Sequence, residues 1–154
     1  NANPPVRSTQ GIAVSHHPFA KLIDLRYLES LPGQSRCKVI VTEKHLNPNH
    51  VVHGAVIFAL ADVGMGSAVQ PLLAEGEICA TVEIKINYFK PVREGELICT
   101  TTVVNRGKTL ANLDSVVHCG DVLVAKANGT YAIFRPGQSQ ATRSTQANDA
   151  RGTA

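Results

Sequence analysis

From Gly54 to about Leu73 the chain has almost no polar face: Ala55, Val56, Ile57, Phe58, Ala59, Leu60, Ala61, Val63, Met65, Ala68 and Val69 fill every side. A helix that is apolar all round belongs in a core, so this segment predicts a long buried helix. Gly64 and Gly66 inside it each cost about 1 kcal/mol relative to Ala, which points to close approach of another backbone. Upstream, His17-Pro18-Phe19 to Leu31 sets Phe19, Leu22, Ile23, Leu25, Arg26 and Leu28 at helical spacing and ends at Pro32-Gly33, predicting a short amphipathic helix. Arg36 to Glu43 carries Val39 and Val41 and predicts a strand. Lys44 to Val52, punctuated by Asn47-Pro48-Asn49, predicts a loop.

The period then changes to two. In Thr81 to Phe89, Val82, Ile84, Ile86 and Tyr88 alternate with Glu83, Lys85 and Asn87, as a strand buried on one face requires. Glu96 to Asn105, Leu110 to Cys119 and Val122 to Phe134 follow, separated by Val92–Gly95, Arg106–Lys108 and Gly120-Asp121, which predicts an antiparallel meander. Ala125, Ala127 and Gly129 share one face of the last strand and leave room for the helix. The expected fold is α+β, a long central helix wrapped by a curved antiparallel sheet. Residues 1–16 read as an N-terminal extension, 17–135 as one domain, and 136–154, poor in large apolar residues, as a disordered tail.

Composition narrows the function. At 154 residues, 44% hydrophobic and 18% charged, the chain suits one soluble domain. Only 5% is aromatic and the net charge is +3, so base stacking and a nucleic-acid partner are disfavoured and a small anionic ligand is compatible. The apolar run from Ala55 to Ala61 stops at Asp62, short of the roughly 20 residues of a membrane span, and no membrane partner is expected. Asn1 to Gln10 lacks the apolar core of a secretory signal, and Cys37, Cys79, Cys99 and Cys119 form no CxxC pair. A cytoplasmic location with reduced thiols is therefore expected.

Asp62 is a carboxylate in the middle of the apolar helix. A buried unpaired charge costs several kcal/mol, so such a residue is either bonded to backbone at a kink near Gly64 and Gly66 or functional. His53-Gly54 stands at the helix start, where unpaired N–H groups favour an anion or a developing oxyanion. Eight residues of helix separate Gly54 from Asp62, about 12 Å. One reacting carbonyl cannot meet both within a chain, so joint action requires a second subunit and a two-fold interface.

The stretch Asn47-Pro48-Asn49-His50-Val51-Val52-His53-Gly54-Ala55-Val56-Ile57-Phe58-Ala59-Leu60-Ala61-Asp62 resembles the phenylacetate-pathway and human-type branch of hot-dog thioesterases, whose pattern is an Asn, a His-Gly-Gly and then Leu-Ala-Asp. Thr81 to Pro91 resembles that family's next strand, and Arg106-Gly107-Lys108-Thr109-Leu110 its next turn, so the resemblance covers about Phe19 to Phe134. It implies an acyl-CoA substrate, Asp62 as general base or nucleophile, and Gly54 N–H polarising the thioester carbonyl. It further implies that Asn47 binds that carbonyl or the attacking water, that His53 lies near the leaving sulfur, and that Thr81 orients the water. It places coenzyme A near Lys90-Pro91 and Arg106-Gly107-Lys108, with no metal and no cofactor, in a homodimer that pairs into a homotetramer. Ala55 departs from the pattern's second Gly and bears on the acyl or pantetheine channel.

Other motifs fail on context. Gly64-Met65-Gly66-Ser67 neither follows a strand in a βαβ unit nor forms a nucleophile elbow around Ser67. His45, His50 and His53 lack the helical HExxH or paired cysteines of a zinc site. Two rivals are a hot-dog hydroxyacyl-thioester dehydratase and a non-catalytic acyl-CoA-binding domain.

Overall fold

The computed structural model describes residues 17–137; the extension 1–16 and residues 138–154 of the predicted tail lie outside the described residues. Among the described residues, two helices and six strands follow in the order α1 (Pro18–Leu22), β1 (Arg26–Leu31), β2 (Gln34–Ile40), α2 (Gly54–Val69), β3 (Ile78–Tyr88), β4 (Glu96–Arg106), β5 (Leu110–Cys119) and β6 (Val122–Phe134), with 3-10 turns at Glu43–His45 and Gln70–Leu72. The strands form one antiparallel sheet in the order β1-β2-β4-β5-β6-β3. The central helix wrapped by a sheet is the α+β hot-dog arrangement that the sequence predicts.

Helix α2 sits close because the sheet beneath it is small and polar where they touch. A Cβ on Gly64 would lie 2.8 Å from Thr101 Oγ1 and 3.4 Å from Cys99 Sγ, and one on Gly129 would collide with the Met65 sulfur. Ser35 Oγ donates to the Gly64 carbonyl at 2.6 Å, and Ser30 Oγ to the Ser67 carbonyl at 2.9 Å. Leu60, Met65, Leu97, Leu113 and Val117 fill the core on either side. Gly54–Leu72 is long and apolar enough, by length and composition, to cross a membrane; half of it is buried inside the protein, which is the packing reason for its apolarity.

Two predicted features are corrected. The helix expected from Phe19 to Leu31 ends at Leu22, because Asp24 takes a left-handed φ of +53° that a helix cannot continue through. Residues 26–31 instead pair with β2 as the edge strand β1. The meander is real only for β4-β5-β6. Strand β3 skips β4 and closes the far edge beside β6.

The alternation read in β3 also breaks, and at a useful place. Thr81 faces Tyr131 and Glu83 faces Thr130, so Val82 is an extra residue, a β-bulge. A bulge reverses which side chains face inward. Ile84 and Ile86 pack toward the helix as predicted, but N-terminal to the bulge it is Cys79 and Thr81 that share their face, while Val82 is 61% exposed. Simple alternation puts Thr81 on the outer face with Glu83; the bulge turns it inward.

Candidate active site

Helix α2 presents two chemically different places. At its start, His53 is the N-cap with an extended backbone, and its Nδ1 accepts the Ala55 N–H at 2.9 Å. This leaves Nε2 as the protonated, donating nitrogen of the neutral ring. Gly54 is the first helical residue, and its N–H, like others in a first turn, has no intrahelical acceptor. Its carbonyl accepts the Tyr88 hydroxyl at 3.1 Å, and a Cβ at Gly54 would come within 3.3 Å of the Tyr88 ring. Tyr88 thus packs across the helix start, and Gly54 is the residue that lets it do so.

Two turns on, Asp62 is half-buried and fully partnered on one oxygen. Its Oδ1 accepts the Thr81 hydroxyl at 2.7 Å and the Tyr131 hydroxyl at 2.5 Å. Both donors stand opposite each other across the β3–β6 ladder. The sequence expectation of a carboxylate needing partners is met by side chains from the sheet, although Tyr131 also reaches the Asp62 carbonyl at 2.6 Å. Burial first, and then the bond to Asp62, hold the Tyr131 phenol far above its usual range, so it stays a donor. The half-buried Cys79 thiol is pushed up mainly by burial, with a contribution from the Asp62 charge, so it is a poor nucleophile.

Tyr131 was missed by sequence reasoning. The signal was available: Ala125, Ala127 and Gly129 define the inward face of β6, and Tyr131 is the next residue on that face.

The remaining predicted residues are scattered. Asn47 lies in the loop before α2, where its Oδ1 accepts the N–H groups of Asn49 at 2.9 Å and Val51 at 3.4 Å. Its amide nitrogen has no partner among the described residues. Arg106 is tied down: its guanidinium bonds Glu77 Oε2 and the Lys108 carbonyl, both at 3.2 Å, and contacts the Gly107 carbonyl. Lys90 and Lys108 are exposed and form no ion pair among the described residues. Lys90 N–H bonds Val124 at one end of β6, and Leu110, beside the Arg106-Gly107-Lys108 turn, pairs with Ala132 near the other. Eight residues of strand separate these places, about 26 Å. Structure does not bring the two cationic clusters together within one chain.

Of the three loop histidines, His45 is buried, with Nδ1 accepting the Thr42 N–H at 2.9 Å and Nε2 at 2.8 Å from the Ile23 carbonyl. Among the described residues no group of three or more His, Cys, Asp or Glu side chains is placed to hold a metal. All four cysteines are free thiols.

Residues 49–126 match the family described as the thioesterase superfamily. A relative from Archaeoglobus fulgidus named "Putative esterase" is 36% identical over 112 residues, 71% of this chain and 71% of its own. Among solved structures, a conserved protein from Pseudomonas aeruginosa superposes with a TM-score of 0.73 at 30% identity, covering 77% of this chain and 95% of that one. A phenylacetic acid degradation protein, PaaI, from Thermus thermophilus superposes at 0.71 with 25% identity, covering 75% and 98%. This chain belongs to the thioesterase superfamily and has its hot-dog fold.

Proposed function

We propose that the protein hydrolyses an acyl-CoA thioester to the free acid and CoA, with Asp62 driving the attack as general base or nucleophile. The observation that carries this reading is the Asp62 carboxylate, set in an apolar helix and aimed by two hydroxyl donors from the sheet. Structural side chains at kinks bond backbone; this one is held by its neighbours with one oxygen free of them.

The second half of the chemistry stands at Gly54, whose N–H, at the positive end of α2, suits the oxyanion of a tetrahedral intermediate. About 12 Å of helix separates it from Asp62, so the Gly54 that serves a given Asp62 is that of a partner subunit. The surface for such a partner is open. Among the described residues strand β3 is an unpaired sheet edge, flanked by exposed Val82, Tyr88 and Phe89, with Ala55 exposed on the adjoining helix. In this reading two chains form a homodimer with two sites and dimers pair as a homotetramer in the cytoplasm, where the four free thiols stay reduced.

His53 donates from Nε2 toward the leaving sulfur, and the Asn47 amide toward the carbonyl or the water. A donating His53 favours hydrolysis over the dehydratase alternative, which needs an imidazole as base. Lys90 and Lys108 supply free cations for the CoA phosphates, and Arg106 shapes the Gly107 turn. Because the two clusters lie about 26 Å apart, a single nucleotide meets one of them or meets clusters of different chains.

The test is purified protein with a panel of aryl-acetyl, aromatic and aliphatic acyl-CoA esters and a thiol reagent. Free thiol release that disappears in Asp62→Asn supports hydrolysis; measurable binding without release from any ester overturns it in favour of a binding domain.

A further inference from the structure

The Asp62 carboxylate is not symmetric. Both hydroxyl donors of the sheet converge on Oδ1, from Thr81 at 2.7 Å and from Tyr131 at 2.5 Å, and no described residue donates to Oδ2. Tyr131 is only 3% exposed, too deep to touch a substrate. Its hydroxyl also lies 2.6 Å from the carbonyl of Asp62 itself, so one phenol proton bridges the residue's side chain and its backbone. Rotation about the last torsion of an Asp is ordinarily broad. Two charge-assisted bonds on the same oxygen remove that freedom.

We infer that Asp62 acts through Oδ2, and that Tyr131 is a positioning residue that commits Oδ1 to the fold. The inference deepens the hydrolase reading and rests on it. In the general-base route Oδ2 takes a proton from water as the water oxygen bonds the carbonyl carbon and the C–S bond breaks, the thiolate leaving as CoA. In the nucleophilic route Oδ2 bonds that carbon directly, the C–S bond breaks with the thiolate leaving as CoA, and water later cleaves the resulting anhydride to the free acid and the Asp62 carboxylate. Both routes need the same oxygen held within a few tenths of an ångström of the reacting atom. The bulge at Val82 is what makes the clamp possible, because it turns Thr81 to the face of Tyr131.

Two donors on one oxygen are partly redundant, and that gives the test its form. Steady-state kinetics are measured for Y131F, T81V and the double variant with an ester that the wild type hydrolyses, alongside thermal melts. Each single change is expected to lower kcat about tenfold with KM within about twofold, and the double change to lower kcat by more than the product of the singles. A wild-type kcat in Y131F, or a loss that sits in KM, overturns the inference. Should Y131F not fold, T81V reads the same clamp from an exposed strand position, and an unchanged kcat there overturns it equally. D62N separates the two levels: full activity in D62N removes the hydrolase reading itself, whereas an inactive D62N beside a normal Y131F removes only the role of Tyr131.

Discussion

The two candidate groups on α2, Gly54 and Asp62, are built by opposite means. Around Gly54 the chemistry is backbone: an N–H with no intrahelical acceptor, a missing side chain and a Tyr88 ring packed where a Cβ would be. Around Asp62 it is all side chain: a carboxylate gripped by Thr81 and Tyr131. A helix start offers oriented donors without further help, because the first turn leaves its N–H groups unpaired. A carboxylate in an apolar helix has no such default, so the sheet must supply partners. One end therefore tolerates change in neighbouring side chains, and the other depends on three residues at once.

That contrast can be broken from either side. The largest effect belongs to Asp62→Asn, which keeps the shape and removes the basic oxygen; kcat is expected to fall about 10²–10⁴-fold in a thiol-release assay, with the fold unchanged by circular dichroism. Gly54→Pro removes the N–H and sets a Cβ about 3.3 Å from the Tyr88 ring, so Gly54→Ala, which adds the same Cβ and keeps the N–H, is its control. Proline is tolerated at the first position of a helix, and His53 before it already has an extended ψ of 133°, so the variant should fold and lose about 10²–10³-fold in kcat. Tyr88→Phe is the mildest, deleting one bond to the Gly54 carbonyl; a urea midpoint shift equivalent to about 0.5–1.5 kcal/mol is expected, with activity within a few-fold of wild type.

How far the sequence could be read differs between these same regions. Helix α2 and strands β5 and β6 were legible almost to the residue, because an all-apolar run and clean turns such as Gly120-Asp121 leave few alternatives. Strand β1 was not: Leu22, Leu25 and Leu28 mimic a helical stripe, and only the left-handed Asp24 and pairing to β2 decide against it. The positions of Gly54 and Asp62 followed from helix geometry. The bulge at Val82 did not, since a period-two pattern carries no mark of an extra residue. Without the bulge, Thr81 faces away from Asp62, and its place in the site came from the resemblance to a family rather than from the strand pattern. Arg106, which the resemblance sets beside coenzyme A, bonds Glu77 and its own turn in the fold, contacts that the sequence pattern did not announce.

In the proposed homodimer each site joins Asp62 of one chain to Gly54 of the other. D62N and G54P chains, each inactive alone, can be unfolded together and refolded as a mixture. Random pairing puts both defects into one site of each mixed dimer and leaves the other site intact. Half the dimers are mixed and each holds one working site of two, so about a quarter of wild-type activity should return. No recovery in mixtures shown to contain mixed dimers would contradict a site shared between subunits.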